Sequence, residues 1–254
     1  MRPPEDFRPC SREAYGQFGS TSDQPPVDFE GPAWEHWRQI GLCRAWIRTI
    51  LDVLVSPGQT FANARREGNL LSATMFYILT VWIAAALTLL STLSVKAVLG
   101  DPSPTGAQSL WGWQEFGLGD TLLTQWENES FGESLITGVI GLIVLPVSAP
   151  IGLAIHAAIV HLFLMLLGGA KAPFETTFRA LAYASGAVTV IGLVPCCGGL
   201  FALLALVVHC SVALMQMHLT DAWRAVMAVL LSLLLIFTCS CGLLAILGGF
   251  AHAY

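Results

Sequence analysis

Five apolar stretches, each long enough to cross a bilayer, fill most of the chain between Leu71 and Phe250. A hydrocarbon core requires roughly 20 apolar residues of helix, and only helices or closed barrels satisfy their backbone polar groups inside it. The stretches run continuously in Leu, Ala, Val and Ile without alternation, so they read as helices and not as barrel strands. Only 11% of the 254 residues are charged, against about 25% in soluble domains. The chain is expected to be an all-α integral membrane protein.

The spans are expected at about 71–96, 134–168, 175–194, 199–218 and 222–249. The second is too long for one upright crossing at about 1.5 Å per residue. Pro146 and Pro150 lie within it, which suggests one kinked, tilted helix or two spans joined at Ser148-Ala149-Pro150. Charge decides between these. Residues 100–133 carry Asp101, Glu115, Asp120, Glu127, Glu129 and Glu133 and no Lys or Arg, whereas Arg38, Arg44, Arg48, Arg65 and Arg66 precede the first span. Basic residues stay on the cytoplasmic side, which places the N-terminus inside and the acidic segment outside. Five spans then keep Lys171 and Arg224 inside; six would not. The expected fold is a five-span bundle over residues 70–250.

Residues 1–33 are rich in Pro, Gly and Ser and have no apolar run, so they are expected to form a disordered cytoplasmic tail. Residues 34–69 differ. Trp37, Ile40, Ile47, Ile50, Leu51 and Leu54 fall on one helical side, and Arg44, Arg48 and Asp52 on another, with Trp34 and Trp46 near the boundaries. Such a pattern suits an amphipathic helix lying in the membrane interface, rings at headgroup depth and guanidiniums toward anionic lipid. It admits a membrane-shaping or partner-docking collar, and equally an anchor packed beneath the bundle.

Two motifs go further. Ser56-Pro57-Gly58-Gln59-Thr60-Phe61 stands just before the first span. In 161–195, HLFLMLLGGAKAPFETTFRALAYASGAVTVIGLVP, a helix ends at Gly168-Gly169, a turn carries Phe174 and Thr177, and Arg179, Tyr183, Ala184, Ser185 and Pro195 follow. With five spans and a cytoplasmic N-terminus, this resembles the YIP-domain family, the Ypt/Rab-interacting membrane proteins and their prokaryotic relatives, over about residues 40–250. The resemblance implies a non-catalytic role in organising membrane or recruiting cytoplasmic partners. In eukaryotic relatives these are Rab-type GTPases of early secretory traffic, whereas prokaryotic relatives have no settled activity. It implies an endomembrane location in a eukaryote and the cytoplasmic membrane in a bacterium.

On the residues alone, Gly168-Gly169 can close a helix in the left-handed conformation. Lys171 and Arg179 flank the turn on the side of anionic lipid, and Arg179 can snorkel to phosphate or pair with Glu175 at i, i+4. The candidate lipid or partner contacts are therefore Trp37, Arg44, Arg48, Pro57, Phe61, Gly168, Gly169, Lys171, Arg179 and Tyr183.

Nothing points to catalysis or to a cofactor. The ionisable groups read as lying within spans are His156, His161 and His209, each expected to bond a neighbouring helix. A coupled transporter would need an intramembrane carboxylate. Cys196, Cys197, Cys239 and Cys241 are expected at similar outer depth, where a thiol cluster is conceivable, but adjacent Cys and Cys-x-Cys are not zinc spacing. No basic cluster suggests nucleic acid. The rival reading is a lipid or ion conduit, or a permease subunit, lined by Gly138, Gly141, Ser148 and Gly152. Homo- or hetero-oligomerisation is compatible with either.

Overall fold

The computed structural model describes residues 31–64, 69–99, 131–194 and 198–251, with side chains of the last helix described as far as Cys239. Among these residues the fold is all-helical, without a strand. A 3-10 turn, Ala33–His36, leads into α1 (Trp37–Ile40), α2 (Leu42–Val55) and α3 (Pro57–Ala62). The bundle follows as α4 (Leu70–Leu99), α5 (Phe131–Leu166), α6 (Phe174–Thr189), α7 (Gly198–His218) and α8 (Ala222–Ala251). Four of these are long and apolar enough to cross a membrane: Leu70–Val98, Phe131–Leu166, Gly198–His218 and Ala222–Cys239. The segment expected as the third span forms the 16-residue α6 and a 3-10 turn, Ile191–Leu193. The tail to residue 30, the acidic segment from 100 to 130, Arg65, Arg66, Pro195, Cys196 and Cys197 lie outside the described residues.

The long second run is one helix. α5 passes through Pro146 and Pro150 without a break, 36 residues in all, so the split at Ser148-Ala149-Pro150 does not occur. Proline at 146 has no N–H for the carbonyl four residues earlier, that of Leu142. Trp82 of α4 supplies the missing donor, its indole Nε1 giving a 3.0 Å hydrogen bond to Leu142 O. In lipid no water stands ready to replace it. Trp82→Phe is therefore expected to lower stability by about 1–3 kcal/mol, the cost of a carbonyl left without a donor where water does not reach it. A Trp82→Phe protein whose unfolding in mixed micelles matches the parent would refute this.

α6 is the axis of the molecule. It packs against α4, α5, α7 and α2, while α8 lies outside it in the seam between α5 and α7. Residues Thr176 to Ala184 of α6 are buried without interruption. Small side chains (Ala180, Ala182, Ala184, Ala187) let four helices approach it closely. At Gly186 the approach of α4 is close: a Cβ there would lie 3.0 Å from Phe76 Cε1 and 3.6 Å from the Tyr77 backbone.

The N-terminal helices are part of the packed structure. α3 lies against α7, α2 against α6, and the 3-10 turn against α4. The face that α2 buries is Ala45, Thr49, Ile50 and Val53, mostly small residues that bring the helix close to α6. The apolar side read from the sequence divides: Ile50 is buried, Ile40 and Leu54 pack partly buried against the core, and Trp37, Ile47 and Leu51 point outward, as does Val55. Trp34 and Trp46, expected at the boundaries, instead donate their indole N–H groups to α4, to Ser72 O at 2.8 Å and Thr80 Oγ1 at 2.8 Å.

Candidate functional site

The Ser-Pro element has a mechanical explanation. A helix end leaves its last carbonyls without partners. Ser56 N bonds Asp52 O at 3.0 Å, and Thr60 Oγ1 reaches back to Asp52 O at 2.9 Å and Ser56 O at 3.0 Å. Pro57 starts α3 at a position that tolerates the lost N–H, and Phe61 inserts fully into the core. His209 of α7 approaches Leu54 O at 3.3 Å, which ties the end of α2 to the bundle. On α2 itself, Arg48 and Asp52 stand 3.7 Å apart and exposed. Partial burial moves the Asp52 carboxyl above its ordinary range, opposed by the Arg48 guanidinium.

At the centre lies an ion pair. Arg179 of α6 has no exposed surface, and its Nη2 donates to Glu35 Oε1 from the 3-10 turn. Tyr183, one turn further along α6, donates its hydroxyl to the same oxygen at 3.2 Å. Aromatic rings wall the site: Trp34 meets Phe76 edge-on at 5.8 Å, and Phe76 meets Tyr183 at 5.3 Å. The Trp34 backbone N–H bonds Thr49 Oγ1 at 2.7 Å, which holds the turn on α2. Arg179 and Tyr183, named above as contacts for lipid or partner, thus face inward in this conformation. Arg179 also belongs with the ionisable groups inside the bundle, where the sequence reading placed only histidines. Glu35 and Trp34 were missed. The signal that could have found them is the need for a buried counter-charge near Arg179 in a stretch otherwise almost uncharged.

A second polar cluster closes one end of the bundle. Thr177 Oγ1 stands 2.7 Å from His161 Nδ1 and 2.9 Å from His218 Nε2, and Ala172 N donates to His218 Nδ1 at 3.3 Å. The donor to His218 Nδ1 fixes Nε2–H as the neutral tautomer's donor, so the chain runs from His218 through Thr177 to His161. The expectation that intramembrane histidines bond a neighbouring helix holds for His161, which meets Thr177, and for His156, 3.4 Å from Ser232. His209 has its shorter contact, 2.7 Å, with Ala205 O of its own helix and lies 3.3 Å from Leu54 O.

Beside this cluster, α5 ends as expected at Gly168, whose φ is +67°. Gly169 N bonds Leu164 O and Gly168 N bonds Met165 O, the paired closure of a Schellman turn. α7 ends alike, with Leu219 at φ +49° and Thr220 N bonded to Met215 O. The two turns staple each other. Lys171 Nζ donates to Leu219 O at 2.7 Å, and Arg224 Nη1 to Gly168 O at 2.8 Å. A left-handed leucine costs about 1–2 kcal/mol, part of which the greater freedom of an unfolded glycine offsets. Leu219→Gly is therefore expected to raise stability by about 0.5–1 kcal/mol, read as a higher unfolding midpoint. A lowered midpoint would contradict the strain.

The remaining candidates divide. Trp37, Arg44 and Arg48 are exposed, Trp37 with Arg38 stacked over its ring at 5.4 Å. Cys239 is a free, exposed thiol; the side chain of Cys241, like Cys196 and Cys197, lies outside the described residues. Gly138 is buried against Leu89, but Gly141, Ser148 and Gly152 are exposed on the outer surface of α5.

Against known families, a model of the Yip1 domain matches residues 51–244. The chain belongs to the Yip1-domain family. No curated protein and no solved structure matches it. The matched region takes in the end of α2 from Leu51, the Ser-Pro element, α4 to α7 with the Gly168 turn, and α8 as far as Leu244. Glu35 lies before it, so the ion pair ties the Yip1 domain to a segment upstream of the match.

Proposed function

We propose that this Yip1-domain protein is a non-catalytic, five-span integral membrane protein that organises membrane or recruits cytoplasmic partners through its N-terminal face. α6, with the turn after it, would complete the fifth crossing, the N-terminus being cytoplasmic. The family resemblance suggests the cytoplasmic membrane in a bacterium and endomembrane in a eukaryote, with a small GTPase as the partner class in the latter. The observation that carries the reading is the outer face of α2. Its inner face is locked to α6, yet Ile47, Leu51 and Val55 stay exposed beside Arg44 and Arg48. An apolar stripe flanked by guanidiniums suits the boundary between acyl chains and headgroups. The bundle holds that helix rigidly.

Mild crosslinking in native membranes, affinity purification and mass spectrometry test this, with a chain starting at Trp34 and an Arg44→Glu/Arg48→Glu variant as controls. Recovery of a small GTPase or membrane-remodelling protein that depends on the tail or on those arginines supports the reading. Recovery of transporter subunits, unchanged by either control, overturns it.

A further inference from the structure

α2 sits well inward of the end of the bundle where α4 begins and α7 finishes. Near its start, Trp46 Nε1 donates to Thr80 Oγ1 of α4 at 2.8 Å. At its close, Leu54 O faces His209 Nε2 of α7 at 3.3 Å. At about 1.5 Å per residue, Thr80 stands about 15 Å along α4 from Leu70, and His209 about 14 Å along α7 from His218. α2 therefore crosses α6 from α4 to α7 at one level. Around α6 the neighbours run α4, α2, α7 and α5, with α8 in the seam between α7 and α5, so α5 stands opposite α2.

Two further features mark the level of α2. It turns Arg44, Arg48 and Asp52 outward, charges that acyl chains do not accommodate. α7 exposes Leu200, Phe201, Leu204 and Val208 on one side of that level, and from His209 to His218 it has no exposed residue. The lipid-facing surface of α7 thus stops where α2 crosses it. On this flank about 17 Å of α7, from Gly198 to His209, is left to meet acyl chains, against about 30 Å of hydrocarbon in an ordinary bilayer. The opposite flank is longer. α5 exposes apolar side chains from Leu135 to Leu166, about 46 Å of helix.

We propose that α2 holds the lipid headgroups of its leaflet about 15 Å inward of the helix ends, so that the bilayer is thinned on the α2 flank and full or thicker on the α5 flank. The ligand is the headgroup layer itself. Its phosphates meet Arg44 and Arg48, while Ile47, Leu51 and Val55 rest on the acyl chains. Drawing headgroups and water to these charges costs less than placing the charges among acyl chains, which is why the leaflet yields. Each molecule then imposes a step in thickness, which a bilayer relieves by bending or by gathering thin flanks together. The inference rests on the reading of α2's outer face as the boundary between acyl chains and headgroups, and gives that boundary a depth.

The test uses the full chain with every cysteine but the exposed Cys43 and the buried Cys210 replaced by Ser, in vesicles of dioleoyl phosphatidylcholine and phosphatidylglycerol. A nitroxide is placed on Cys43, or on Phe201→Cys in a chain that also carries Cys43→Ser. Access of oxygen, which concentrates among acyl chains, and of a water-soluble nickel chelate reads the depth of each label. Both should lie at headgroup level, one in each leaflet, with a nickel-to-oxygen access ratio at least about threefold above that of a label on Val147→Cys in the middle of α5. A Cys43 label at acyl-chain depth overturns the thinning and the boundary reading together. A Cys43 label at headgroup level, with the Phe201→Cys label near the bilayer centre, overturns the thinning and leaves the boundary reading standing, because about 12 Å of α7 separates the two levels. Arg44→Leu/Arg48→Leu should release the headgroups and cut nickel access at Cys43 at least about threefold; unchanged access overturns the proposal, since these charges are what hold the leaflet down. Should Phe201→Cys not fold, Leu200→Cys takes its place with the same outcomes.

Discussion

Replacing Glu35 by Ala is expected to lower stability by about 3–5 kcal/mol, the cost of leaving a buried charge without its partner. Arg179 has no exposed surface from which to reach water, and Tyr183 loses its acceptor at the same time. Equilibrium unfolding in mixed maltoside–SDS micelles measures the loss. The pair differs from a surface salt bridge in how a double replacement behaves. Glu35→Leu with Arg179→Met removes both charges and keeps much of the volume, and such replacements are often neutral or stabilising. The double variant should therefore lie within about 1–2 kcal/mol of the parent, far above either single variant. If Glu35→Ala cost less than about 1 kcal/mol, the range of exposed pairs, the pair would be behaving as a surface salt bridge and not as a buried one.

The contrast between these residues shows where the sequence is legible. Apolar runs of roughly 20 residues have one physical solution in lipid, so the four long helices fall close to their expected bounds. The two-proline run was harder, because whether a helix survives Pro146 depends on a donor from elsewhere. That donor, Trp82, sits 60 residues before the carbonyl it serves, and no local pattern announces it. The Gly168-Gly169 closure was legible because a left-handed residue at a helix end has a sequence signature. The matching turn at Leu219 was not, since leucine carries no such signature. Polar partners across the bundle were the least legible. Glu35 and Arg179 lie 144 positions apart, and helical periodicity says nothing about which distant side chains meet.

Periodicity was only partly informative about α2. Counting apolar residues selects one side, from Trp37 through Ile47, Ile50 and Leu51, as an interfacial face or an anchor. Close helix contacts in membranes favour small residues, and the structure buries Ala45, Thr49 and Val53 together with Ile50 while Trp37, Ile47 and Leu51 point outward. The outward part is what a bilayer or a partner meets, which is why the proposed function rests on it. The same division separates the two tryptophans at the start of the segment.

Trp34 and Trp37 are three residues apart and alike by composition, yet opposite effects are expected of them. Trp34 is 4% exposed, packs edge-on against Phe76, and holds Ser72 O through its indole. Trp34→Ala is expected to cost about 3–5 kcal/mol, the range for deleting a buried aromatic ring, and to loosen Glu35 as well because the turn loses its anchor. Trp37 is 38% exposed and makes its ring contact with Arg38, itself on the surface. Trp37→Ala should change stability by no more than about 0.5 kcal/mol, as surface changes do. An isolated peptide of residues 34–55 should bind anionic vesicles more weakly with Trp37→Ala, because exposed indoles favour the interface. Limited trypsin digestion separates the two in the intact protein. Cleavage at Arg44 and Arg48 should accelerate in Trp34→Ala, where the docked turn is released, and stay at the parental rate in Trp37→Ala. Equal rates in all three proteins would mean that α2 is held by its contacts with α6 alone and that the Trp34 anchor is dispensable.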